Sequence, residues 1–446
     1  MISDILKKHI DQIKEGGFIV FIKKLKTIFY LLMQSPIYLL SFPLIIIIRL
    51  IRPWLLIRWH GLASSRIGHI AINSELYSCK REAKIDQPSQ AHIDIFFLKD
   101  KYVCNKQLVK MLRRDLMILP AFLLVPLFYI NRFFNLFIKG GFHHEININL
   151  NIDRDIHNIM DKFDPHISFT EQEKLRGKKI LYEFGIPKNA KFVCLVVRDS
   201  AYLDRYKDRT LKDFSYHNYR DGNVDNFLLA AEELANRGYY VFRMGVKVKK
   251  PLNSSNPKII DYANSKLRSD FMDIYLCAHC TFSITTACGI DAVITVFRKP
   301  IAFIQVPFGH MQVQCKNDLL MTKHHFDKKN NKNLTISEIF SSNVALSFFS
   351  KEYEENNVEL KENTPKEIRE LAIEMEERVS GNWKETEKDL LLQKKFWEIF
   401  ERNMKNLNFQ NYKNPELIRS MYPMYCVKKR AKFSASFLRN NKDWIQ

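Results

Sequence analysis

The stretch Phe192-Val-Cys-Leu-Val-Val-Arg-Asp-Ser200 decides the fold. Its six leading apolar residues lack the alternation of a half-solvated strand. Such a strand has both faces covered, as in the middle of a parallel sheet. Parallel neighbours need crossover segments, usually helices, and the sequence on either side supplies them. Upstream, Thr170-Glu-Gln-Glu173 forms a capping box opening a helix that Gly185 stops. Downstream, a helix from about Val224 to Arg237 ends at Gly238, and Tyr239–Met244 reads as the next strand, closed by Gly245. Ile259-Ile260 begins a short strand and Phe271–Ala278 a helix; Thr281–Thr285 and Pro300–Gln305 are strands around a Gly289–Phe297 helix.

The same alternation starts earlier. Trp54–Trp59 is a strand, Gly61, Ser64 and Ser65 a turn, and Arg66–Lys80 a helix; Ile93–Leu98 and Asn105–Arg114 repeat the pattern. Residues 140–168 are polar and strand-poor, which suits a linker. The expected fold is therefore α/β, with two Rossmann-like domains facing a cleft in a GT-B-like arrangement. Residues 53–165 would form the first lobe, which binds acceptor, and 166–345 the second, which binds nucleotide. Residues 346–446 would form a helical extension returning toward the first lobe, and 1–52 a membrane-associated helical segment. Thr364-Pro365-Lys-Glu367 opens one helix of that extension, to about Val379, and a second covers about Lys384 to Asn406.

Of 446 residues, 46% are hydrophobic and 26% charged, as in ordinary globular chains, but the net charge is +20. A charge of that size calls for an anionic partner. It divides as +6 over residues 1–60, +12 over 61–350, −5 over 351–400 and +7 over 401–446. There is no RNP-like motif, zinc-finger spacing or RG repeat, so nucleic acid is not the expected partner. Residues 27–48 contain no charge, carry Pro36 and Pro43, and lie between Lys23, Lys24 and Lys26 on one side and Arg49, Arg52 and Arg58 on the other. Basic flanks on both sides and two prolines favour a bent or interfacial segment at an anionic membrane over a simple span. The shorter run Leu116–Ile130, broken by Pro120 and Pro126, suits the same surface. The eight cysteines are dispersed, and Cys277-Ala-His-Cys280 lacks further ligands at zinc spacing. They read as buried thiols of a reducing compartment. Asp153-Arg-Asp155 sits in the linker, away from any strand end, and is discounted as a metal site.

Ligands of open α/β sheets bind beyond the carboxyl ends of strands. Those ends carry Arg198, Asp199 and Ser200; Arg243 and Gly245; and Thr285, Thr286, Ala287, Cys288 and Gly289, followed by Asp291. Small residues there admit a diphosphate to backbone N–H groups, and Arg198 and Arg243 would add charge-assisted bonds. No G-x-x-x-x-G-K-[ST] or G-x-G-x-x-G is present, which removes the main support for an ATPase or a dehydrogenase. In the first lobe, Ser64, Ser65 and Arg66 would meet the acceptor. His69 would deprotonate its hydroxyl, with Asp199 and His217 as the other candidate bases. His217 lies in the polar, aromatic-rich segment Tyr216-His-Asn-Tyr-Arg-Asp221, which reads as a binding loop.

The segments at 196–203, 216–221, 236–245, 256–263, 268–276 and 289–293, with Ser64–His69 and Ser434–Trp444, resemble the glycosyltransferases of bacterial surface-polysaccharide clusters. The resemblance covers roughly residues 50–445. It implies a metal-independent GT-B-type enzyme that takes a nucleotide sugar and needs no cofactor. The acceptor would be a lipopolysaccharide, capsule or lipid-linked glycan at the cytoplasmic face of the inner membrane. More distantly, residues 192–198 and 281–289 resemble fucosyltransferase donor sites. Where the family has a Ser-Gly-Ser-Gly-like turn, this chain has the bulkier Thr286-Ala-Cys-Gly289. A nucleotide-sugar epimerase or hydrolase of the same fold, and a non-catalytic membrane scaffold, are the alternative expectations.

Overall fold

Apolar runs become strands here and amphipathic runs become helices. The computed structural model describes residues 17–18, 20–22, 24–25, 35–148, 155–204, 214–311, 315–426 and 431–445. Along the chain, helix α1 (residues 35–51) leads to strand β1 (Leu56–Leu62), helix α2 (Ile67–Glu82), strand β2 (His92–Leu98) and helices α3 (Lys106–Leu112) and α4 (Ala121–Phe134). Helix α5 (Glu171–Glu183) precedes β3 (Phe192–Val196), α6 (Leu228–Asn236), β4 (Tyr240–Arg243), β5 (Ile259–Ile260) and α7 (Asp270–His279). Then come β6 (Phe282–Thr285), α8 (Asp291–Val296), β7 (Ile301–Val306) and β8 (Leu319–Thr322). A small antiparallel sheet holds β9 (His324–Asp327), β10 (Lys332–Asn333) and β11 (Val358–Lys361). Helices α9 (Pro365–Ser380) and α10 (Glu387–Lys405) and strand β12 (Lys432–Phe433) complete the framework.

These elements form two compact units, a smaller one of Met1–Leu62, Pro88–Lys101 and Leu116–Asn147, and a larger one of Ala63–Gln87, Tyr102–Asp115 and Ile148–Gln446. In the smaller unit β1 and β2 pair in parallel from Leu56↔His92 to Leu62↔Leu98. Trp59 and Phe97 are buried there with Ile45 and Ile48 of α1 and Leu124, Leu127 and Ile130 of α4. Arg58 and Asp94, register partners, form a buried two-pronged ion pair at 2.7 and 2.6 Å. No helix among the described residues is long and apolar enough to cross a membrane. Residues 27–34 of the uncharged run fall outside the described residues.

The larger unit is built on a sheet whose described strands run β12-β8-β7-β6-β3-β4-β5, every neighbouring pair parallel. All five residues of β3 are buried, as suits an interior strand covered on both faces, and it lies beside β6, the central strand of the seven. From β3 the chain winds outward through β4 to β5, then returns to the opposite side of β3 with β6. That reversal opens a crevice beyond the carboxyl ends of β3 and β6, paired through Val196↔Thr285.

The expected first lobe is smaller than the strand–helix alternation suggested. The two expected strands of residues 53–165 are present, but α2 and α3 belong to the larger unit. The reason lies in their partners. Ile72, Leu76 and Cys79 of α2 pack with Ile159, Met160 and Ala292, and Arg298 donates to Glu75 at 2.5 Å. The α3 N-cap residue Asn105 donates to the Asp270 carbonyl at 2.9 Å, while Gln107 donates to Glu173 at 2.9 Å. The C-terminal residues likewise join the larger unit. Strand β12 adds to the sheet beside β8, and Phe396, Phe433 and Trp444 pack together within about 6 Å of one another, Phe396 stacked on Trp444. Cys277 and Cys280 are buried in the same unit as Cys194. Asp153 lies outside the described residues. Asp155 is buried, accepting from the backbone N–H groups of Ile159 and Met160 at 2.6 and 3.1 Å.

Candidate functional site

A cavity of about 440 Å³ occupies the crevice beyond β3 and β6, wholly within the larger unit. Three segments converge on it. The first follows β3, where the backbone N–H of Arg198 donates to the Thr286 hydroxyl at 2.8 Å and so ties the two strand ends together. The second is the turn after β6. Asp291 accepts from the Thr285 hydroxyl at 2.7 Å and the Cys288 N–H at 2.5 Å, which holds Ala287 at a φ of 58°. Burial raises the Asp291 carboxyl to about 6. The third is Ser65–His69 at the start of α2. A side chain at Gly68 would sit 3.1 Å from the Gly289 backbone, so glycine allows the two segments to approach without pushing that backbone aside.

Arg198 is the central cation. One guanidinium nitrogen, Nη1, donates to the His217 carbonyl at 3.1 Å and also pairs with Asp221, whereas Nη2 is buried without a hydrogen-bond partner among the described residues. Burial, followed by the charge of Arg220, draws this guanidinium down to about 10. Arg220 enters from the turn Ser215–Arg220 and donates to the Ala287 carbonyl at 2.6 Å. Arg66 reaches over the Phe214 ring at 5.8 Å. Burial and then the charges of Arg220, Arg198 and Arg66 depress the His217 imidazole to about 3, so it is neutral at physiological pH. Below this turn Lys323, lowered by burial to about 8, donates to the Tyr219 and Asp221 carbonyls at 3.1 and 2.6 Å. The site is cationic and lies where a parallel sheet takes its ligand.

Of the residues singled out from the sequence, Ser65, Arg66, His69, Arg198, Asp199, His217, Gly245, Ala287, Cys288, Gly289 and Asp291 line this cavity. Ser64, Thr285 and Thr286 are fully buried behind it, and Ser200 is turned away, donating to Asp204 at 2.6 Å. Arg243 does not reach it. Its guanidinium is only 1% exposed, held between Asp199 at 3.8 Å and Asp261 at 3.6 Å, and it borders a second cavity of about 770 Å³. The Asp199 carboxylate also accepts from the backbone N–H groups of Ala201 and Lys249, both at 2.9 Å. With the Cys288 N–H bonded to Asp291, this donor of the turn is already in use. Guanidinium groups, rather than that backbone donor, make the positive surface.

Arg220 and Lys323 went unnoticed as site residues, although Arg220 lies within the aromatic-rich segment expected to bind ligand. Among the described residues Glu75, Cys79 and His166 have ligand atoms close enough together to hold a metal ion. Arg298, 2.5 Å from Glu75 and 3.6 Å from the Cys79 sulfur, already supplies positive charge there.

No protein-family model matches the chain, and no curated protein sequence matches it. Among solved structures it is similar to the ADP-heptose lipopolysaccharide heptosyltransferase II of E. coli, at 13% identity over 55% of this chain and 84% of that one, with a TM-score of 0.34. It is also similar to a glycosyl transferase family 9 protein from Veillonella parvula, at 11% identity over 56% of this chain and 80% of that one, with a TM-score of 0.35.

Proposed function

We propose that the protein is a glycosyltransferase that moves a sugar from a nucleotide diphosphate sugar to a hydroxyl of a bacterial surface glycan or its lipid-linked precursor. The observation that carries this reading is the set of Arg66, Arg198 and Arg220 around a neutral His217 at the β3–β6 crevice. A diphosphate is the small anion best matched to several guanidiniums in a buried site. The sequence resemblance to polysaccharide-cluster transferases supports the same chemistry. In the reaction the acceptor oxygen bonds to the anomeric carbon as the carbon–oxygen bond to the diphosphate breaks. The bonding pair leaves with the diphosphate, whose growing charge the arginines stabilise.

The acceptor proton needs a base. Asp199 is already held by two N–H groups and faces Arg243, and His217 is too weakly basic near neutrality. His69, on the cavity wall at the start of α2, is left as the base. A thermal-shift screen with UDP-, GDP-, ADP- and CMP-sugars tests the reading, since a ligand bound only to the folded state raises the melting temperature. Stabilisation by one nucleotide class, lost in Arg220→Ala, is expected. No response to any class would refute it. Sugar release without acceptor would point to the hydrolase instead.

A further inference from the structure

Most of the large apolar side chains left exposed among the described residues belong to the smaller unit, though it is the lesser part of the chain. Helix α1 is apolar on nearly every side, yet only the stripe of Ser41, Ile45 and Ile48 is buried. Leu40, Ile47 and Leu50 remain 71%, 53% and 66% exposed. A helix that is apolar all round needs a second apolar environment beyond the core it already touches. The adjoining helix continues this surface. Phe42 of α1 lies 6.4 Å from Phe133 and 5.7 Å from Phe134 of α4, and Phe133 lies 5.4 Å from the exposed Phe137. Arg49 closes the seam by donating to the Asn131 and Ile138 carbonyls at 2.8 and 2.9 Å.

The charge around this face has one sign. Residues 35–62 include Arg49 and Arg52, besides Arg58, which Asp94 neutralises, and no acidic residue. In residues 116–147 the single acid, Glu145, is taken by Arg132 through two 2.8 Å bonds. Trp54, 76% exposed, stands beside Arg52 in sequence, and Phe137 and Ile138 beside Lys139. Indole and phenyl rings next to cations suit the boundary between headgroups and acyl chains.

From this pairing of an open aromatic and aliphatic face with a basic rim, we propose that α1 and α4 dock on an anionic phospholipid bilayer. A second copy on the same face would bring the basic rim against itself, with no acid among the described residues of α1 and α4 to meet it. This surface belongs to the smaller unit and does not depend on the reaction proposed for the larger one.

The full-length protein should float with vesicles of equal parts phosphatidylglycerol and phosphatidylcholine, and not with phosphatidylcholine alone. Ile47→Glu with Phe137→Glu should abolish flotation without lowering the melting temperature, since both side chains are exposed. Neutralising Arg52 and Lys139 with glutamine should weaken binding by about fivefold per residue. Tryptophan emission should shift to the blue on vesicle addition, and Trp54→Phe should remove that shift. No flotation, or flotation that these variants leave unchanged, overturns the proposal. So does a dimer without vesicle binding that Ile47→Glu disperses, which would assign the face to a second copy.

Discussion

Arg198 and Arg243 stand at neighbouring strand ends and look equivalent in sequence, but their surroundings predict opposite phenotypes. Nη1 of Arg198 is committed to the His217 carbonyl and Asp221, and the residue lines the ligand cavity, where its guanidinium can meet a phosphate oxygen. One charge-assisted bond to a phosphate oxygen is worth roughly 1.5–3 kcal/mol, or roughly 10- to 150-fold in Kd. Arg198→Ala should therefore weaken nucleoside diphosphate binding by that factor, with some loss of stability because Asp221 loses its partner. Arg243 is enclosed by Asp199 and Asp261 and borders the other cavity. Arg243→Ala leaves two carboxylates facing each other and should cost about 3 kcal/mol of stability. Its effect on Kd should stay within about threefold, well under 1 kcal/mol. Titration calorimetry with UDP, GDP and ADP, paired with scanning calorimetry on each variant, separates the two effects. If Arg243→Ala lost affinity as severely as Arg198→Ala while keeping its melting temperature, the reasoning would be refuted.

Gly68→Ala places a methyl group 3.1 Å from the Gly289 backbone, and scanning calorimetry should record a loss of roughly 1–3 kcal/mol, with weaker nucleotide binding as the turn shifts. The Asp291 carboxyl, raised by burial to about 6 in the fold, binds a proton there that the unfolded chain has released, so stability should fall as pH rises from about 4 to 6. Asp291→Asn should flatten that slope by up to about 3 kcal/mol in melting curves across the window, with Asp273, raised similarly, sustaining the remainder. Asp389 behaves in the opposite sense. Its hydrogen bonds with Arg439 hold it near 2, giving stability that is present above pH 4 and lost as pH falls toward 2. Asp389→Asn should cost about 2 kcal/mol at pH 7 and almost nothing at pH 2, as read by chemical denaturation at both values.

The central sheet was legible because its evidence is local. An unbroken apolar run such as Phe192–Val197 has few structural options, and Thr170 and Thr364 mark helix starts through bonds spanning three residues. The destination of α2 was not legible. Its apolar positions say that it must cover something, but nothing in their spacing chooses between the sheet it follows and the segment at 159–160, about 80 residues later. Complementary contacts such as Arg298 with Glu75 settle that choice, and they join positions too distant for any periodicity to reveal. Chain order alone therefore does not reveal that α2 and α3 pack within the larger unit.

The site divides along the same line. Residues expected at the ends of β3 and β6 meet at one cavity because parallel topology alone brings those ends together. The pattern does not say which way a strand-end side chain turns. Arg243, the last residue of β4, turns between two carboxylates, and its charge is spent within the protein. Arg220 belongs to no strand and arrives from a short turn whose carbonyls rest on Lys323, a residue just past the end of β8. Its value depends on a partner about 100 residues further on, so strand-end reasoning passes over it. A binding cation is thus distinguished from a structural one by where the fold directs its charge, toward the ligand cavity or between carboxylates of the protein. By that measure Arg198 and Arg220 line the ligand cavity, each with one buried nitrogen unpartnered among the described residues. Arg243 also has unpartnered nitrogens, but it directs them toward carboxylates that already neutralise it, which is why its loss should appear as instability instead of lost affinity.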